Sequence, residues 1–119
     1  MSDVTKKWAL FAVRVFLTLA FAAAGLAKLM GVQMLVDEFA MIGVGQWFRY
    51  VTGIIEVGAA VLIWLPGYTA YAAGLMVCVT VGALIAHAFI LGMATSAGAI
   101  LLGVLALITL YTNRAQLQR

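Results

Sequence analysis

The chain has 119 residues, of which 66% are hydrophobic and 9% charged, with a net charge of +3. Soluble domains carry roughly 45–50% apolar and about 25% charged residues, so this chain has too little polar surface to cover a core, and the bilayer is its expected solvent. The small, scattered positive charge excludes nucleic acid as a partner, and the single cysteine, Cys78, excludes an internal disulfide, a CxxC pair or a cysteine-rich metal site.

Four apolar runs follow in chain order, at about 8–27, 48–65, 68–91 and 94–111. A helix needs about 20 residues to cross a hydrocarbon layer of about 30 Å. Continuous rather than alternating apolar residues favour helices over barrel strands. The first run follows Lys6-Lys7 and contains Ala22-Ala23-Ala24, which resembles a secretory signal. Arg14 would interrupt the apolar core of such a signal, so an uncleaved transmembrane helix is expected. Residues 31–47 mix Met34, Leu35, Phe39 and Ile42 with Asp37 and Glu38. That pattern predicts a short amphipathic helix at the membrane interface, with an ordinary ordered loop as the alternative. The second run carries Glu56 at its centre and stops at Pro66-Gly67. In the third, Gly74, Cys78, Gly82 and Ala86 recur every four residues; in the fourth, Ala94 and Gly98, then Ala99 and Gly103, do the same. Such stripes are expected to let helices approach closely in lipid, and they read Cys78 as a packing residue rather than a reactive thiol.

Lys6, Lys7, Arg114 and Arg119 flank the two ends, which places both termini in the cytoplasm and requires an even number of spans. The expected fold is therefore all-α: an integral membrane antiparallel four-helix bundle in one transmembrane domain over residues 1–119. A short extracytoplasmic interfacial helix is expected between the first two spans.

Polar residues inside these runs stand out, because a charge at mid-helix costs roughly 2.5–3.5 kcal/mol on insertion scales. They are Arg14, Glu56 and His87, with Lys28 at the end of the first run. Counting from Trp8, Arg14 lies roughly 9 Å from the cytoplasmic edge; counting back from Leu65, Glu56 lies roughly 13 Å from it. Those depths predict an Arg14–Glu56 ion pair between the first two spans. His87 and Lys28 lie nearer the outside, where Asp37 or Glu38 could join them in a second polar group. Helical spacing puts Arg14, Thr18, Phe21, Gly25 and Lys28 on one face of the first span. It likewise aligns Arg49, Gly53, Glu56 and Ala60 on the second, and Met76, Thr80, Ala83 and His87 on the third. The Arg14–Glu56 pair reads equally as a registry clamp or as the lining of a polar cavity for a small ligand, a quinone head group or a proton path. His87 reads as an interior histidine bonded to a backbone carbonyl in preference to a metal or haem ligand, since no second His or Cys accompanies it at ligand spacing.

Arg14, AGLAKLMG at 24–31, TGIIEVGAAVLIW at 52–64 and VGALIAHAFILG at 81–92 appear in that order, followed by a last apolar run and Arg114. The order Arg, Gly-x-x-Lys, Gly-x-x-Glu, Ala-x-x-x-His resembles the DoxX-like family of small membrane proteins over nearly the whole chain. The resemblance implies the four-helix membrane bundle, in a bacterial cytoplasmic (inner) membrane. It also implies a link to quinone-coupled sulfur or thiol oxidation, to oxidative-stress complexes or to assembly of other membrane proteins. The lone Cys78 argues against thiol exchange in this chain.

The expected role is an accessory subunit of a quinone-linked membrane redox complex, with Arg14, Glu56, His87 and Lys28 as the candidate polar or ligand site and no metal. No motif binds flavin, nicotinamide or iron–sulfur, so electrons would come from a partner and a quinone is the one cofactor this reading admits. The alternatives are a non-catalytic assembly subunit packed against a larger complex and, less in keeping with four short helices, a small-solute carrier. The expected partners are the lipid bilayer and either a second copy of the chain or a larger membrane complex.

Overall fold

The structure is a computed structural model that describes residues 2–93 and 96–117. Ala94, at the head of the fourth run, and Arg119, in the basic C-terminal flank, lie outside the described residues. The fold is all-α. Helix α1 covers Asp3–Met30, α2 Gln33–Ile42, α3 Gln46–Leu62, α4 Thr69–Ala86 and α5 Ala97–Thr112. A π-helical turn, His87–Leu91, continues α4, and a 3-10 turn, Arg114–Leu117, follows α5. Helix α1, and α4 together with its π turn, are each long and apolar enough to cross a membrane; α5 is apolar but shorter.

Local chemistry sets the ends. The Ser2 hydroxyl accepts the Thr5 backbone N–H at 3.2 Å, and Asp3 sits in the first turn, as a helix N-terminus favours. Gly31 ends α1 with φ 73°, a left-handed conformation that a Cβ would strain, and its N–H returns to the carbonyls of Ala27 and Lys28. Beyond Pro66-Gly67, the Thr69 hydroxyl donates to the Ile63 carbonyl at 3.0 Å and ties the start of α4 to the end of α3. Gln116 accepts the otherwise orphaned N–H of Ala70 at 2.8 Å, which holds the end of the chain against the start of α4.

Helices α1, α3, α4 and α5 all contribute to one buried cluster, with Leu17 and Phe21, Ala59 and Ile63, Ala72 and Met76, and Ala106 at its centre. Helix α2 lies against α3, α1 and the π turn, anchored by Phe39, whose ring meets Phe48 edge-on at 5.9 Å. The outward surface is apolar: Leu19, Leu26, Ile54, Val61, Val81 and Phe89 are all exposed. Trp8, Trp64, Tyr68, Tyr71 and Tyr111 are exposed at the end of the molecule where α1 starts and α5 stops. Tryptophan and tyrosine favour this level at a membrane–water interface.

The closest backbone approach is between α1 and α3. A Cβ on Gly25 would lie 2.8 Å from the Gly53 carbonyl oxygen, and one on Gly53 would lie 2.9 Å from that of Gly25. The small-residue stripes expected to do this work do not do it within the chain. Gly74, Gly82 and Gly98 have open space where a Cβ would stand, and Cys78 is exposed. Only Gly103 of that set meets a neighbour, the Thr80 hydroxyl at 3.2 Å. Four-residue spacing is the same whether a stripe faces in or out, and here it faces out.

Gly25→Ala and Gly53→Ala are therefore expected to lower the unfolding free energy in detergent by about 1–3 kcal/mol, as overpacking does. Gly82→Ala should be neutral or slightly stabilising, because helix propensity improves and nothing is struck. Thermal melts of the three variants read the difference.

Candidate functional site

The Gly25–Gly53 contact sets an antiparallel register, and the register decides which charges meet. Lys28 lies one turn past Gly25 and Glu56 one turn past Gly53, in opposite directions, so their Cα atoms are offset by about 9 Å along the axes. Helical side chains lean toward their own N-terminus. In an antiparallel pair Lys28 and Glu56 consequently lean toward each other. Lys28 Nζ lies 2.7 Å from Glu56 Oε1, with the two side chains 14% and 5% exposed. The ammonium approaches off the line of a good hydrogen bond, so Oε1 is charge-paired without a directional partner.

Arg49 closes the group from above. It is buried, donates through Nη1 to the Lys28 carbonyl and through Nε to Gln46 Oε1 at 2.8 Å, and lies 4.3 Å from the Tyr50 ring centre. The Lys28 carbonyl belongs to the last turn of α1, so the guanidinium meets the negative end of that helix. Gln46 Nε2 donates to the Val36 carbonyl at 3.0 Å, which fixes its amide orientation and carries the network into α2. The chain of contacts thus runs from the α2 backbone through Gln46 and Arg49 to Lys28 and Glu56. Lys28 is the cation that meets the Glu56 carboxylate, and Arg49 meets the α1 terminus, which carries about half a negative charge.

The expected Arg14–Glu56 pair is not formed. Depths counted from Trp8 and Leu65 take those residues as level, whereas the glycine contact sets Arg14 level with Trp64. Arg14 and Glu56 are then offset by about 12 Å and lean apart. The Arg14 guanidinium instead lies 5.3 Å from the Trp64 ring centre. Trp64 Nε1 donates to Thr18 Oγ1 at 2.8 Å, and Thr18 Oγ1 donates to the Arg14 carbonyl at 2.8 Å. Lys28, expected beside His87 and an acid of α2, goes to Glu56, and Asp37 accepts from Gln33 at 2.8 Å. His87 is half-buried in the π turn, with Nδ1 3.1 Å from the Gly92 carbonyl. A carbonyl only accepts, so Nδ1 carries the proton there.

Arg49 and Gln46 are the members of the site missing from the sequence expectation. Arg49 shares the Glu56 face at a spacing of two turns, with Gln46 one turn before it; that polar stripe was the available signal. Among the described residues no three His, Cys, Asp or Glu side chains converge as a metal would need.

A double-mutant cycle separates the two pairings. Glu56→Gln or Lys28→Met alone should cost about 3–5 kcal/mol, since each strands a buried charge, while the pair of substitutions should cost much less than their sum. Arg14→Met combined with Glu56→Gln should be additive within about 0.5 kcal/mol. Unfolding in detergent measures both cycles.

Comparison with known proteins bears on the same residues. No curated protein and no solved structure matches the chain. A family profile, described as the DoxX-like family, matches residues 12–112, from just before Arg14 to the end of α5, and so includes Lys28, Arg49, Glu56 and His87. A match of that extent, on a chain whose long helices expose large apolar side chains, makes this a small membrane protein that belongs to the DoxX-like family.

Proposed function

We propose that the protein is an accessory subunit of a quinone-linked membrane redox complex, with Lys28, Glu56 and Arg49 as its intramembrane polar site. In this reading α1, α3, α4 with its π turn, and α5 cross the bilayer as an antiparallel four-helix bundle. Helix α2 then lies at the outer interface, and both termini are cytoplasmic. The observation that carries the proposal is the Lys28–Glu56 contact of 2.7 Å beneath a buried arginine. A clamp alone needs two opposite charges. Arg49 caps the end of α1 through the Lys28 carbonyl, and its fixed charge leaves the group net positive, which a two-charge clamp is not.

The residues suit a quinone head group. Lys28 has three donors and is charge-paired with Glu56, which leaves N–H groups for a carbonyl oxygen. Glu56 and Lys28 together can hold or pass a proton, and Arg49 keeps a positive charge beside them whatever their protonation. A bound quinone would supply the electron-accepting chemistry, and electrons would come from a partner subunit, because the sequence has no flavin, nicotinamide or iron–sulfur motif. A non-catalytic assembly role is the second reading. It is favoured by the outward glycines of α4 and α5, which leave smooth helix faces for another membrane protein.

The variant Lys28→Met/Glu56→Leu tests the site, since it removes both charges and is expected to fold. A short-chain quinone should raise the melting temperature of the native protein and leave that of the double variant unchanged. Equal shifts in both, or full activity of the double variant in the cell, would reduce the pair to a clamp. Topology is checked by reporters fused at the C-terminus and at Asp37, which should report opposite sides of the membrane.

A further inference from the structure

The other end of α1 presents a second polar arrangement that the Lys28–Glu56 site does not use. Lys7, Leu10, Phe11 and Arg14 line a cavity of about 220 Å³. Lys7 and Arg14 are two helical turns apart on one face, about 10 Å along the axis. Arg14 Nε is buried and has no hydrogen-bond acceptor. No carboxylate among the described residues pairs with Arg14 or Lys7, and the nearest acid in the chain, Asp3 in the first turn, makes no ion pair. The cavity lies beside an aromatic stack in which Trp8 meets Phe11 and Phe11 meets Trp64, each edge-on at 5.8 Å. Trp64 in turn underlies the Arg14 guanidinium.

From this geometry we propose that the Lys7–Arg14 cavity binds the phosphate of an anionic phospholipid. Guanidinium groups bind phosphate oxygens in a fork geometry; Arg14 Nε is enclosed by the protein, so the outer end of the guanidinium, its two Nη groups, is the edge that can meet a phosphate. Tryptophans mark head-group depth in a bilayer; the Arg14 backbone lies roughly 9 Å inside Trp8, below the glycerol, and a helical side chain leans back toward its N-terminus and so toward the head groups. Between Trp8 and Arg14, Leu10 and Phe11 offer an apolar wall to the start of an acyl chain, which a water-borne phosphate could not use. Lys7 and Arg14 outnumber the one acid near them, Asp3 a turn before Lys7, and the net positive charge favours a lipid with net negative charge over a zwitterionic one. A guanidinium that merely snorkels to the interface would show no such preference.

The test uses the full chain in neutral detergent, titrated with phosphatidylglycerol, phosphatidylcholine or inorganic phosphate, with melting temperature and lipid-bound species by native mass spectrometry as readouts. Phosphatidylglycerol should act at concentrations about tenfold lower than phosphatidylcholine, whose choline cation is repelled by the two basic residues. Inorganic phosphate should have no effect. Arg14→Gln should abolish the preference, and Arg14→Lys, which keeps the charge but not the fork, should retain part of it. Equal action of the two lipids on the native protein, the same shift with inorganic phosphate, or a preference that survives Arg14→Gln would overturn the proposal. If Arg14→Gln does not fold, Lys7→Gln at an exposed position serves instead: a reduced preference supports the site, and an unchanged one refutes it.

Discussion

The contact between Gly25 and Gly53 is the constraint from which the rest of the molecule follows. Apolar side chains in lipid gain little by exchanging lipid neighbours for protein ones, so greasy surfaces alone choose no register between helices. Two glycines that admit each other's carbonyl to within a Cβ's width do choose one. Once they are apposed, Lys28 leans down onto Glu56, Arg49 reaches the last turn of α1, and Arg14 arrives over Trp64. A slip of one helical turn, about 5.4 Å, would part all of these contacts at once. The polar groups therefore reinforce the register. Each contact alone is compatible with sliding, and the set is not.

Much of the element pattern was legible because it rests on hydropathy and punctuation. The third apolar run, 68–91, matches α4 with its π turn almost to the residue, and the short helix before α3 appears at Gln33–Ile42, stopped by Gly43. Partner assignment was less legible. Depth counted from the ends of apolar runs carries an error of several residues, because helix ends and run ends do not coincide: α1 begins at Asp3, five residues before its run does, and α3 stops at Leu62, three residues before its run does. Five residues are about 7 Å, enough to exchange one cation for another. The direction in which side chains lean was usable without coordinates. It already disfavours an arginine near the start of one helix pairing with a glutamate deeper in its antiparallel neighbour.

Glycine stripes show a different limit. Periodicity establishes that Gly74, Cys78 and Gly82 share a face, but it carries no information about which way the face points. The glycines that matter within the chain, Gly25 and Gly53, form no stripe. They lie one turn from a charged residue, three positions before Lys28 and Glu56 respectively. Gly-x-x-Lys and Gly-x-x-Glu are thus two halves of one device: Gly53 clears space for the Gly25 carbonyl and the Lys28 side chain, and Gly25 clears it for the Gly53 carbonyl and Val57.

The two ends of the α1–α3 pair treat their charges differently, and the difference carries the functional argument. At the α2 end, Arg49, Gln46 and the Lys28 carbonyl satisfy one another, and Lys28 and Glu56 are paired. Charges so enclosed are expensive to separate. At the Trp8 end, Arg14 has an aromatic face for a partner and no anion, beside a cavity that Lys7 also lines. A guanidinium never sheds its charge at ordinary pH, so it must be compensated by something other than deprotonation. Nothing from the described chain supplies that compensation, while the bilayer offers phosphate at the head-group level toward which a side chain at Arg14 leans. One end is therefore built to keep its charges among its own residues, and the other is built to share them with the membrane.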